Sequence, residues 1–141
     1  MEGPTLDLSF QEITPTYIKA LAEKLRNNTS ITHLDMRETN IDDTSVFILV
    51  DVLQTTNITS INFSFNNIGL AGCSALIKLA TLKELYLIEN NLTYEDTCKL
   101  LEVLKENTSL IDFQLCDYNI NNYISNCTDD LMKRNRECSK N

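Results

Sequence analysis

Five cysteines, one histidine and three adjacent acid pairs are the residues with the chemistry to build a site. Cys73, Cys98, Cys116, Cys127 and Cys138 form no C-x-x-C pair and His33 is the lone imidazole, so zinc finds no ligand set at workable spacing. Neither a metal nor a cofactor is expected. A catalytic thiol would need a base beside it. Cys116 falls on an outward strand face, but His33 is three strands away, about 14 Å at ordinary strand spacing. Cys73 and Cys98 hold the same place in successive helices. Adjacent helices sit about 8–10 Å apart, beyond the roughly 7 Å between Cα atoms that a disulfide tolerates, so both are expected as half-buried thiols. Asp42-Asp43 and Glu95-Asp96 open helices, where carboxylates stabilise the positive end of the dipole; Asp129-Asp130 lies inside the last helical stretch and faces solvent. With three glycines the chain has no Gly-rich phosphate loop. Asn-x-Ser/Thr sequons at Asn27, Asn28, Asn57, Asn62, Asn91, Asn107 and Asn126 fall mostly in turns, where Asn and Thr serve turn chemistry. No nucleophile, base or metal set survives, so a non-enzymatic protein is expected.

The elements that carry these residues repeat. Apolar pairs spaced two apart recur at Leu6/Leu8, Leu34/Met36, Ile61/Phe63, Leu85/Leu87 and Phe113/Leu115, in steps of 28, 27, 24 and 28 residues. Five residues after each pair comes Ile13, Ile41, Ile68, Leu92 or Ile120; three before it, in four units, comes Ile31, Ile58, Leu82 or Leu110. Alternation at the pairs predicts short half-buried strands. The period then changes to that of a helix: Ile18, Leu21, Ala22 and Leu25; Val46, Leu49, Val50 and Leu53; Gly72, Ala75, Leu76 and Leu79; Thr97, Leu100, Leu101 and Leu104; Ile124, Cys127 and Leu131. Thr14, Asp42, Gly69, Thr93 and Asn121 stand where N-caps are wanted, and Pro15 follows at the first helical position. Return loops carry Asn27–Ser30, Thr55–Asn57 and Glu106–Ser109. The third unit lacks one, which accounts for its 24-residue step.

The unit reads L-x-x-L-x-L-x-x-N-x-L followed by a helix, best seen at Leu82–Leu92 and in frame at Ile58–Ile68. It resembles the leucine-rich repeat, in particular the ribonuclease-inhibitor-like class, over about residues 3–132. The resemblance implies an α/β fold: a right-handed solenoid of about five repeats, with a short parallel sheet on its concave face and helices outside. The family's turn asparagine stands here as Gln11, Thr39, Asn66, Asn90 and Tyr118, so the middle two units alone keep it. One domain over 1–141 is expected, with repeats at about 3–30, 31–57, 58–81, 82–109 and 110–132, then a polar cap or tail over 133–141.

The chain has 141 residues, 43% of them hydrophobic, and a net charge of −8. So much apolar content excludes a disordered acidic tail, and the acidity argues against a nucleic-acid binder. Val46–Leu53, interrupted by Asp51, falls well short of the ~20 residues of a membrane span. Met1-Glu2-Gly3-Pro4 lacks a signal peptide's basic and apolar segments, and the unpaired cysteines fit a reducing compartment, so a cytoplasmic location is expected.

In stacked repeats the strands form an extended binding surface. Strand alternation turns twenty positions outward: Thr5, Asp7, Ser9, Phe10; His33, Asp35, Arg37, Glu38; Ser60, Asn62, Ser64, Phe65; Glu84, Tyr86, Ile88, Glu89; Asp112, Gln114, Cys116 and Asp117. They hold seven carboxylates and one arginine, a net −6, against −2 for the other 121 residues. The expected function is a protein–protein interaction module binding a basic protein or peptide. Its predicted site is Asp35, Arg37, Glu38, Asn62, Phe65, Glu84, Tyr86, Ile88, Glu89, Asp112, Gln114 and Asp117, with Tyr86 and Phe65 as anchors and the carboxylates steering. The competing reading is an acidic face kept for solubility. Two further classes follow from the resemblance and from composition. One is an inhibitor or regulator of an enzyme such as a nuclease or small GTPase. The other is a bacterial effector that binds a host protein in the host cytosol. The first-repeat edge has no separate cap ahead of Leu6, which leaves three expectations open: the first helix suffices, the edge pairs with another molecule in weak self-association, or the chain is part of something longer.

Overall fold

The computed structural model describes residues 3–115 and 122–141. Along them run β1 (Thr5–Asp7), α1 (Pro15–Leu25), β2 (His33–Asp35), α2 (Asp43–Leu53), β3 (Ser60–Asn62), α3 (Leu70–Ile77), β4 (Glu84–Tyr86), α4 (Tyr94–Glu106), β5 (Asp112–Gln114) and α5 (Asn122–Cys138). The strands form one parallel sheet in chain order, and the register sets Leu6, Leu34, Ile61, Leu85 and Phe113 side by side. Parallel neighbours need a crossover, and α1, α2, α3 and α4 supply the four. The helices pack on one another in the same order. An open solenoid of strand–helix units results.

The core lies between sheet and helices. Leu34, Met36, Ile61, Phe63, Leu85 and Leu87 are almost wholly buried, each worth about 2 kcal/mol. Helix stripes meet them: Ile18, Leu21, Ala22 and Leu25 in α1, and Thr97, Leu100, Leu101 and Leu104 in α4, are buried as expected. In α2 Val52 takes the place predicted for Val50, and in α3 Cys73 and Ile77 are buried while Ala75 is half-exposed.

Helix starts follow the caps. Thr14 accepts from Tyr17 N, Asp42 from Ser45 N, and Thr93 closes a reciprocal capping box with Asp96. Asn121 lies outside the described residues. Gly69 has no side chain to cap α3, and the neighbouring unit provides one. Asp43 Oδ1 accepts from Gly69 N at 2.7 Å and from Gly72 N at 3.2 Å. So Asp43 serves the next helix as well as its own. A Cβ at Gly72 would run into that carboxylate and into Ile68 Cγ2. Gly72→Ala is therefore expected to cost about 1–3 kcal/mol in urea denaturation, despite the better helix propensity of Ala.

The turn asparagines tie units together. Asn66 Oδ1 accepts from Thr39 N (3.0 Å) and Ile41 N (3.1 Å), while its Nδ2 donates to Met36 O (2.8 Å) and Phe63 O (3.0 Å). Asn90 accepts from Ile68 N and donates to Phe63 O and Leu87 O. Where Thr39 replaces Asn, its hydroxyl donates to Met36 O at 2.8 Å and serves the local half of that role. Asn at Asn67 and Asn91 works through the backbone, each N–H donating to the carbonyl of Ile41 or Ile68. The return loops likewise use Asn side chains: Asn28 Oδ1 accepts from Ser30 N and Ile31 N, and Asn107 Oδ1 from Ser109 N and Leu110 N.

Of the cap or tail expected over 133–141, residues 133–138 take the form of a cap that continues α5. The buried stripe of α5 is Ile124, Thr128, Met132 and Asn135, with Cys127 and Leu131 only half-buried. Asn135 Nδ2 donates to Leu110 O at 2.7 Å, Arg134 to the carbonyls of Lys105 and Asn107, and Arg136 to Ile111 O. These side chains close the last return loop. Asp129 and Asp130 are exposed, as the periodicity requires.

Candidate functional site

The face of the sheet away from the helices is ordered in rows. Register places Thr5, His33, Ser60, Glu84 and Asp112 in one row and Asp7, Asp35, Asn62, Tyr86 and Gln114 in the next, with neighbours about 5 Å apart. The predicted outward set holds with two exceptions. Ser60 and Ser64 are buried, because each serves the neighbouring strand: Ser60 Oγ donates to Glu84 Oε2 (2.9 Å) and Ser64 Oγ accepts from Ile88 N (3.2 Å). Cys116 and Asp117 lie outside the described residues.

Beyond the strands comes a row that alternation alone does not describe. Phe10, Glu38, Phe65 and Glu89 all have positive φ, at 61°, 50°, 59° and 54°. For a non-glycine residue this costs on the order of 1–2 kcal/mol. The N–H of Phe10 donates to Arg37 O (2.8 Å), that of Glu38 to Ser64 O (3.2 Å) and that of Phe65 to Ile88 O (2.7 Å). These bonds between units offset the strain at Phe10, Glu38 and Phe65 and turn their side chains onto the edge of the face. Phe10 and Phe65 are 66% and 47% exposed, which is unusual for rings so large.

The charges of the face are partly spent on one another. Arg37 grips Asp35, with Nε 3.0 Å from both carboxylate oxygens and a terminal nitrogen 2.8 Å from Oδ2. The same guanidinium lies over the Phe10 ring, 5.8 Å from its centroid. Its pKa is raised, first by the Asp35 hydrogen bond and then by that residue's charge. Asp7 accepts from Ser9 Oγ and Ser9 N, which lowers its carboxyl below the usual range.

Tyr86 donates its hydroxyl to Asp112 Oδ2 at 2.9 Å. Desolvation first, then this hydrogen bond to a carboxylate, raises the Tyr86 phenol well above its ordinary value. The unfolded chain ionises near pH 10 while the folded phenol stays neutral. The stability it confers is thus full below pH 10 and is lost as pH climbs through the alkaline range. Tyr86→Phe is expected to flatten that loss in denaturant melts taken on both sides of pH 10.

Six of the predicted site residues surround one hollow. Arg37, Asn62, Phe65, Tyr86, Ile88 and Gln114, with Ser64 beneath, line an open depression of about 400 Å³ in the middle of the face. Glu38 and Glu89 flank Phe65 on the neighbouring units, and Asp35, Glu84 and Asp112 sit on the strands around it. An exposed ring and an aliphatic side chain thus lie amid carboxylates. Chemically this can hold an apolar stem and a cationic head.

A family model described as leucine-rich repeat matches residues 27–47 and 54–76. These spans cover β2 and β3 with the turns after them, the first half of α2 and nearly all of α3. The chain has the fold of a leucine-rich-repeat solenoid. A solved structure of leiomodin-1 actin-binding site 2 superposes with a TM-score of 0.81 at 23% identity, covering 96% of this chain and 82% of that one. The tropomodulin C-terminal domain of Caenorhabditis elegans gives 0.79 at 15% identity, covering 99% and 87%. No curated protein sequence matches.

The remaining chemistry of the solenoid is quiet. His33 Nδ1 is 2.8 Å from Thr32 Oγ1. Cys73 is fully buried instead of half-buried, because α3 turns it inward between its neighbours, and burial pushes its thiol up to about 12. Cys98 is half-buried as expected. Cys98 and Cys127 line a second hollow of about 420 Å³ between α4 and α5, with Tyr123 and Lys105 at its rim. Sequence reasoning missed this pairing because the α5 stripe was read one residue out of phase. It also placed Phe10 on the face but left it out of the site, although Phe10 occupies the same place in its unit as Phe65.

Proposed function

We propose that the solenoid is a protein–protein interaction module that takes a basic protein or peptide on the outward face of its sheet. The observation that carries this reading is the hollow at Phe65, where apolar groups lie open among carboxylate-bearing rows. Exposed aromatic anchors with a polar surround are what interface energetics select, and the surplus negative charge suits a cationic partner. The likeness to leiomodin-1 actin-binding site 2 supports a protein as the class of partner. The test is titration with a basic peptide at low and high salt, for the wild type and for Glu38→Lys/Glu84→Lys/Glu89→Lys. Wild type should bind with an affinity that falls as salt rises, and the variant at least about tenfold more weakly. Equal binding by the two proteins would leave the face as a solubilising surface.

A further inference from the structure

Phe10 and Phe65 are two copies of one place in the repeat, and among the described residues a cation fills only the first. Both have left-handed backbone, at φ 61° and 59°, and both donate their N–H to the same position of the following unit, Arg37 O in one case and Ile88 O in the other. In the first copy the residue at that position sends its guanidinium over the ring, with Asp35 as counter-ion. In the second copy the position holds Ile88, and among the described residues no cation lies over Phe65. The ring is 47% exposed and forms one wall of the hollow of about 400 Å³. Glu38 and Glu89 hold the equivalent left-handed places on the units to either side, about 5 Å away across the sheet. Arg37, on the near wall, has its charge held by Asp35.

We infer that Phe65 is the seat of an arginine side chain of the partner, which repeats from outside the stack that Arg37 makes on Phe10 from within. This rests on the sheet-face reading above and adds the chemistry of the anchor. Arginine fits better than lysine because its planar, weakly hydrated guanidinium stacks on a ring while its edge bonds carboxylates. Glu38 and Glu89 stand where those carboxylates are needed. The aliphatic stem of the guest would lie against Ile88.

The test compares two synthetic peptides alike except that every arginine of one is lysine in the other. Each is titrated into wild type, Phe65→Asn and Ile88→Arg. Asn accepts the left-handed backbone at position 65, so that variant should melt like wild type. Ile88→Arg fills the seat from within, as Arg37 fills the first copy. Wild type should prefer the arginine peptide about fivefold, and both variants should lose that preference. Phe10→Asn, at the seat already filled, should keep it. Equal binding of the two peptides by wild type, or a preference that survives Phe65→Asn, overturns the seat and leaves the face intact. If wild type binds neither peptide at low salt, the sheet-face reading falls and the seat with it.

Discussion

Replacing Asn66 with Ala is expected to destabilise the protein by about 3–5 kcal/mol. Its amide is the partner of two buried N–H groups, Thr39 N and Ile41 N, which have nowhere else to turn once it is gone. Each such orphan costs about 1–3 kcal/mol. The carbonyls of Met36 and Phe63 suffer less, since Thr39 Oγ1 still donates to the first and Asn90 Nδ2 to the second. Urea denaturation followed by far-ultraviolet circular dichroism would measure the loss. The control is the adjacent Asn67→Ala. Asn67 is exposed and contributes its backbone N–H to Ile41 O, a bond that Ala keeps, so its effect should stay within about 0.5 kcal/mol. Similar losses at the two positions would refute the role given to the Asn66 amide.

Ending the chain after Leu131 is expected to cost about 3–5 kcal/mol and to loosen the fifth unit ahead of the rest. The deletion exposes the surface that Met132 covers, worth about 2 kcal/mol. It also removes Asn135 and Arg134, whose donors satisfy the carbonyls of Leu110, Asn107 and Lys105. Each charge-assisted or buried bond adds about 1 kcal/mol or more. In a solenoid a unit touches only its neighbours, so the damage should be local. Amide exchange should therefore quicken first at Ile111 and Asp112, which hold the entry to β5. Removing residues 139–141 alone, all exposed, should change nothing measurable. A truncation at 131 as harmless as that one would mean that the segment is a solvated tail after all.

Both results turn on groups that differ in how they show in a sequence. Strand positions were legible because one apolar pair per unit, in constant frame, leaves a single register. Leu6, Leu34, Ile61, Leu85 and Phe113 do stand side by side. Caps were legible because Thr14, Asp42 and Thr93 act within their own helix. Long-range polar contacts were not. Nothing at Gly69 announces that Asp43, 26 residues earlier, will cap its helix. The stripe of α5 was misread because two of its four buried residues, Thr128 and Asn135, are polar and escape an apolar count. At the candidate site the row order and the surplus of carboxylates could be read from strand alternation. The left-handed row could not, because φ > 0 at Phe10 and Phe65 arises from bonds to the next unit and not from residue type.

The direction of the bridging bonds carries a temporal meaning. Asn57 reaches back to Thr29 O, Asn66 to Met36 O, Asn90 to Phe63 O, Asn107 to Ile77 O and Arg134 to Asn107 O. In each of these the later residue completes the earlier turn or loop, whereas the Asp43 cap of α3 runs the other way. As the chain emerges from the ribosome, each unit stays short of its bonds until its successor has been made. Folding should then trail synthesis by about one unit, with each newly finished turn locking the one before it. A pause in translation inside a unit would leave its predecessor open for as long as the pause lasts.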